Sequence, residues 1–186
     1  MSIPQQTRWA GLALAGLTAF AAPAWAADRV LLVTSMGNIE IELDAQKAPK
    51  SVANFEQYVK EGHYDGTVFH RVIPNFMLQG GGMTPDLKEK PTHKPIPLES
   101  HNGLTNVVGS VAMARTGDPN SATSQFFINV KDNGFLDEGD GYAVFGHVVS
   151  GMDVVKKIEA VATTTRGAYE NVPTMPVTIK KATLEK

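Results

Sequence analysis

Between two stretches of helical periodicity the chain carries a series of short apolar runs, each cut off by glycine or proline. That punctuation narrows the fold more than any other feature. The runs are Val68 to Ile73, Phe76 to Gly80, Ser110 to Ala114, Gln125 to Val130 and Val144 to Val149. Each is strand-sized and too short for a helix. Ahead of them, Val30 to Ser35 is rich in β-branched and large apolar residues. A turn at Met36-Gly37 follows, and then Ile39, Ile41 and Leu43 alternate with Glu40, Glu42 and Asp44. This is the pattern of a hairpin with one buried face, the two glutamates lying on its solvated side. Pro49 stands where a helix can begin, and Val52, Phe55, Tyr58 and Val59 keep helical spacing until Gly62. A second helix is predicted from Val154, Val155, Ile158 and Val161, with Asp153, Lys156, Lys157 and Glu159 opposite. Val177 to Leu184 reads as a returning strand. Many short strands and only two helices predict a mainly β fold, a closed or nearly closed barrel with helices over its ends. The segment Thr84 to Thr105, with four prolines, is expected to wrap the surface without regular structure and to border a functional face.

Composition excludes several function classes. Of 186 residues, 42% are hydrophobic and 19% charged, the balance of a folded domain. Lys+Arg number 17 against 19 Asp+Glu, so no basic excess exists to neutralise phosphates, and a nucleic-acid partner is not expected. The absence of Cys removes disulfides, thiolate metal sites and cysteine nucleophiles. No histidine pair has the helical spacing of a zinc protease, so no metal and no cofactor are expected. Gly80-Gly81-Gly82 is followed by no Lys-Ser/Thr and reads as close backbone approach rather than a phosphate loop.

The first 26 residues are of another kind. Arg8 is their only charged side chain, Ala10 to Ala22 is apolar, and Pro23 precedes Ala24-Trp25-Ala26. The run is too short for a bilayer that needs roughly 20 residues, and the small–large–small triplet suits signal peptidase. Residues 1–26 are therefore expected to be a cleaved signal peptide and 27–186 a single exported domain with no stable membrane association. An uncleaved anchor or a buried helix is the competing reading.

The densest chemistry lies in Val68-Phe69-His70-Arg71-Val72-Ile73-Pro74-Asn75-Phe76-Met77-Leu78-Gln79-Gly80-Gly81. A hairpin turning at Pro74-Asn75 with symmetric arms sets Arg71 across from Gln79 and Ile73 across from Met77. A period of two puts Phe69, Arg71 and Ile73 on one face and turns His70 away from Arg71. In the second segment, Met113 to Asn129, Gln125 and Phe127 point one way and Phe126 the other. An arginine braced by an amide beside several large apolar side chains suits a small, mostly apolar ring attached to an amide.

These two segments resemble the signature stretches of the cyclophilin family of peptidyl-prolyl cis–trans isomerases. The likeness runs over nearly all of 27–186, through Asn54-Phe55 and Val144-Phe145-Gly146, and is nearest to the bacterial periplasmic branch. The resemblance implies an eight-stranded antiparallel barrel capped by two helices. It implies Arg71 as the catalytic arginine with Gln79 holding it, a proline pocket of Phe76, Met77, Phe127 and Leu136, and Gln125, Ala114 and the backbone of Arg115 on the substrate chain. Phe55, Phe69, Phe126 and Phe145 are assigned to packing. Tyr142 stands where many members have His. Phe135 replaces a Trp that helps many eukaryotic members bind cyclosporin, so weak cyclosporin binding is expected. Arg115 and Thr116 replace smaller or uncharged residues at the groove rim. The expected partners are proline-containing unfolded or extended chains, met by a monomer in the periplasm. The rival reading is a peptide-binding chaperone that uses the groove without turnover.

Overall fold

The computed structural model describes residues 28–185, so the expected signal segment lies outside the described residues. In chain order the elements are β1 (Arg29–Thr34), β2 (Gly37–Leu43), α1 (Pro49–Lys60), β3 (Val68–Ile73), β4 (Met77–Met83), β5 (Ser110–Met113), β6 (Phe126–Asn129), a single 3-10 turn (Gly134–Asp137), β7 (Val144–Ser150), α2 (Met152–Glu159), β8 (Thr163–Arg166), β9 (Tyr169–Pro173) and β10 (Ile179–Glu185). Eight strands form one antiparallel sheet in the order β10-β1-β2-β7-β5-β6-β4-β3. Its edges, β3 and β10, do not share a ladder. The bridge Val68↔Thr178 and backbone bonds from Phe69 N–H to Val177 O (2.9 Å) and from Ile179 N–H to Thr67 O (2.8 Å) close the curl as a short seam. The barrel is closed less completely than a continuous ladder would close it.

Alternation along the strands sorts side chains to two faces. Val30, Leu32, Ile39, Ile41, Val72, Leu78, Val111 and Ile128 point inward to the main core, joined there by Phe55, Phe69, Phe126 and Phe145. Those four phenylalanines are packing residues, as the resemblance implies.

Helix α1 starts at Pro49, whose missing N–H is no loss in a first turn. Its N-terminal residue Ala48 offers no capping side chain. The cap comes instead from Glu99 in the long irregular segment: its carboxylate accepts from the backbone N–H groups of Lys50 (3.0 Å) and Ser51 (2.7 Å) and from the Ser51 hydroxyl (2.8 Å). A negative group there also complements the helix dipole. Asn54 donates to Thr123 O at 2.7 Å, tying α1 to the loop ahead of Gln125.

Two features depart from the sequence reading. A separate two-stranded sheet, β8 with β9, occupies a stretch with no assigned element. And β3 carries a bulge: Phe69 pairs with Gly80 and Arg71 with Gln79, leaving His70 as the extra residue. The bulge shifts the alternation, so Phe69 enters the main core while Arg71 and Ile73 lie on the outer face. Phe69 and Arg71 do not share a face, and His70 does not turn away from Arg71; both line the same cleft. No described helix is long and apolar enough to cross a membrane.

Candidate active site

One row across the outer face of the sheet assembles the site. Arg71 on β3 pairs with Gln79 on β4, Gln79 with Phe127 on β6, Phe127 with Ala112 on β5, and Ala112 with Val144 on β7. The hairpin holding Arg71 turns at Asn75, which adopts a positive φ of 57°. Its backbone N–H donates to the Glu159 carboxylate at 2.7 Å, so the last turn of α2 clasps the tip.

Arg71 is half-buried, and among the described residues no carboxylate pairs with it. One edge of its guanidinium is braced: Nη1 donates to Gln79 Oε1 at 3.4 Å, and Gln79 Nε2 donates to Gln125 Oε1 at 2.9 Å. The second bond fixes which way the Gln79 amide faces and so keeps its oxygen toward the arginine. Gln125 is pressed into place by Gly82, where a Cβ would collide with its side chain.

Beside this relay lies an apolar patch separate from the main core. Met77, Ala112, Phe127, Leu136 and Val144 are buried in it, with Ile73, Phe76, Leu104, Ala114 and Tyr142 packed around them. The 3-10 turn buries Leu136 and leaves Phe135 59% exposed at the rim, where its ring stacks on Phe76 at 5.7 Å. The Tyr142 ring meets Phe127 edge-on at 5.6 Å. Every site residue expected from the sequence thus falls on one face: Arg71, Gln79, Gln125, Ala114 and Arg115 border a cleft of about 500 Å³, and the apolar set adjoins it.

Three contributions escaped sequence reasoning. The β8–β9 hairpin supplies Ala168 to Asn171 as the far wall of the cleft; the β-branched Thr163-Thr164-Thr165 before Gly167 was its signal. His70 lines the same cleft, 5% exposed, with Nδ1 lacking a hydrogen-bond partner. Burial, with Arg71 alongside, lowers its pKa to about 4. Behind the patch, buried amides interlock. Asn129 Nδ2 donates to Asn106 Oδ1 (3.0 Å) and to Ser110 Oγ (2.9 Å), and Asn133 Nδ2 donates to Asn129 Oδ1 (2.7 Å) and to Phe76 O (2.9 Å). Asn106 Nδ2 in turn donates to Asp137 Oδ1 at 2.6 Å. The network joins β6, the loop before β5 and the 3-10 turn.

Three of the other histidines are tied to structure, and His147 is exposed on β7. His63 meets Gly81 O at 3.2 Å, His93 meets Glu61 at 2.7 Å, and His101 meets Gly139 O at 2.8 Å. Among the described residues no group of three His, Asp or Glu side chains is arranged to hold a metal ion.

Residues 29–184 match the family model described as cyclophilin type peptidyl-prolyl cis-trans isomerase/CLD. The chain belongs to the cyclophilin-type isomerase family. Membership makes it a peptidyl-prolyl cis–trans isomerase. This cyclophilin is 57% identical over 176 residues to peptidyl-prolyl cis-trans isomerase A of Dickeya dadantii, covering 91% of this chain and 92% of that one. It is 50% identical over 159 residues to peptidyl-prolyl cis-trans isomerase B of Escherichia coli, covering 82% and 97%. Among solved structures, a cyclophilin-type isomerase of Cryptosporidium parvum superposes with a TM-score of 0.75 at 26% identity, covering 87% of this chain and 99% of that one. The same relative crystallised in the presence of the dipeptide Ala-Pro gives a TM-score of 0.73 at 26% identity, over 85% and 99%.

Proposed function

We propose that this cyclophilin catalyses X–Pro rotation through Arg71, on extended or unfolded chains exported to the periplasm, and so assists their folding. Rotation about an X–Pro bond meets a barrier of roughly 18–20 kcal/mol because the amide is conjugated. In the twisted transition state the prolyl nitrogen regains its lone pair and becomes a hydrogen-bond acceptor, which it is not in either planar isomer. A donor aimed at that nitrogen stabilises the transition state selectively. Arg71 can be that donor, since it is always protonated, meets no carboxylate among the described residues, and is braced through Gln79 on one edge only. The apolar patch of Phe76, Met77, Phe127 and Leu136 would seat the ring and exclude water, and the backbone beside Ala114, Arg115 and Gln125 would hold the flanking chain. The Ala-Pro dipeptide used with the Cryptosporidium parvum relative supports this choice of ligand. No step calls for a metal or cofactor. Phe135 lacks the indole N–H of a tryptophan, which supports weak cyclosporin binding.

The observation that carries the reading is a cation with no carboxylate partner among the described residues, at the edge of a pocket lined by apolar side chains. NMR exchange on a short Ala-Pro peptide tests it. The wild type accelerates cis–trans interconversion, and Arg71→Ala lowers kcat/KM by about 100-fold, the order expected for one transition-state donor. Equal acceleration by the variant would remove Arg71 from the mechanism. Export is checked by sequencing the N-terminus of the protein from a periplasmic fraction; the expected first residue is Ala27.

A further inference from the structure

Arg115 occupies a rim position, where an exposed cation would ordinarily reach for an acidic group on the client. Its guanidinium is instead turned onto the protein. Nε and Nη2 both donate to the carbonyl of Gly141, at 3.0 and 2.9 Å, and Nη1 donates to Thr116 O at 2.9 Å. Its Cζ lies 4.6 Å from the centre of the Tyr142 ring. The loop it grips is also held from the other side: Gly141 N–H donates to Glu138 O and Tyr142 N–H to Leu136 O, each at 3.0 Å. The Tyr142 ring, fixed between these holds, packs on Phe127.

We propose that Arg115 is a positioning residue. Its fork on Gly141 and its face on Tyr142 form a clamp that sets the wall of the proline pocket, and it acts on the seating of the ring rather than on rotation. This rests on the isomerase reading of the same site. The wall touches the prolyl ring in the planar and the twisted states alike, so losing it weakens both equally. Such a loss falls on KM, whereas removal of a contact made only in the transition state falls on kcat. Three of the five guanidinium N–H groups donate to carbonyls and hold the head down on the loop and the Tyr142 ring, so Arg115 is not expected to select acidic clients. A lysine cannot replace it, since a single ammonium neither forks onto one carbonyl nor stacks on a ring.

The test compares Arg115→Ala, Arg115→Lys, Tyr142→Ala and the Arg115→Ala/Tyr142→Ala double variant with the wild type. Exchange is measured by NMR over a range of peptide concentrations, on Ala-Pro peptides bearing a neighbouring Glu or Lys. Each single Ala variant is expected to raise KM three- to tenfold, with kcat within about twofold of wild type and the same loss on both peptides. Arg115→Lys is expected to leave KM raised. The double variant is expected to match Tyr142→Ala, because the two residues act as one unit. Unchanged KM, a loss confined to kcat or to the Glu peptide, rescue by Lys, or additive effects in the double variant would each overturn the clamp. A wild type that fails to accelerate exchange would overturn the isomerase reading itself. An active wild type with an indifferent Arg115→Ala overturns the clamp alone.

Discussion

Gln79 and Gln125 are ordinary amides whose orientation decides what they do. Gln79 can hold Arg71 only while its oxygen faces the guanidinium, and the 2.9 Å bond to Gln125 enforces that. Gln125 in turn stands where it does because Gly82 has no Cβ. Gly82→Ala is expected to displace Gln125, break the amide relay and lower kcat/KM by about tenfold, with an overpacking cost of about 1–3 kcal/mol in stability. Gln125→Ala is expected to lose activity to a similar degree. The double variant should be no less active than Gln125→Ala alone, since the shortened side chain makes room for the added methyl. A melt and an exchange assay on the three proteins check this, and additive losses would show that the two positions are not coupled. The close approach at Gly82 is legible in the sequence as a glycine run with no phosphate-loop context. Its target is not, because Gln125 is remote in the chain.

The elements differ in how plainly their sequences announce them. The register of Arg71 against Gln79 follows from a Pro-Asn turn with symmetric arms, and the structure has it. The bulge one residue earlier was invisible: Val68 and Phe69 are both apolar, so the pattern carries no mark of an inserted residue, and the face of Phe69 is misassigned by it. In the β8–β9 hairpin β8 is almost wholly exposed and β9 buries only its adjacent last residues Val172 and Pro173, which leaves no period for a sequence reading to find. The 3-10 turn that separates buried Leu136 from exposed Phe135 is too short to have one. Asn106, Asn129 and Asn133 each read singly as turn residues; only tertiary structure interlocks them. That network is where the elements under the site depend on one another. Asn129→Ala would leave the buried Asn106 Oδ1 without its donor, while Asn133 Nδ2 keeps Phe76 O and Ser110 Oγ keeps Val107 O, at about 1–3 kcal/mol for the one acceptor left unpaired. A loss of about 1–3 kcal/mol in denaturant unfolding is expected, with lower activity from the loosened Phe76 and Leu136. A cost below about 1 kcal/mol would mean that the network contributes little.

At the scale of the whole molecule, the sheet serves two clusters at once. One face closes on the barrel core and the other carries the groove, so Arg71, Gln79, Met77 and Phe127 sit on strands, while Phe76, Ala114 and Gln125 flank strand ends and Leu136 sits on the 3-10 turn. His70 sits at the bulge where these two surfaces meet, and its burial links the site to acid stability. Its pKa is about 4 in the folded protein and near 6.5 in an unfolded chain. Below pH 6.5 the unfolded state therefore takes up a proton that the folded state refuses. Stability is full above 6.5, falls as the pH drops toward 4, and levels once both states are protonated. A gap of this size corresponds to about 3 kcal/mol, or roughly 6–12 °C in Tm for a domain of this length. His63 acts in the same direction, its pKa lowered first by burial and then by Lys90. The carboxylates of Glu61 and Asp153, stabilised first by His93 and Lys157 respectively, lose their contribution only at more acidic pH. The interval between pH 6.5 and about 4.5 thus belongs to the histidines. Thermal melts across it should show a steep fall for wild type and a shallower one for His70→Gln, whose neutral amide takes up no proton, with the remaining slope due to His63. Parallel curves for the two proteins would mean that His70 titrates in the folded state much as it does in an unfolded chain, and that the bulge does not shield it.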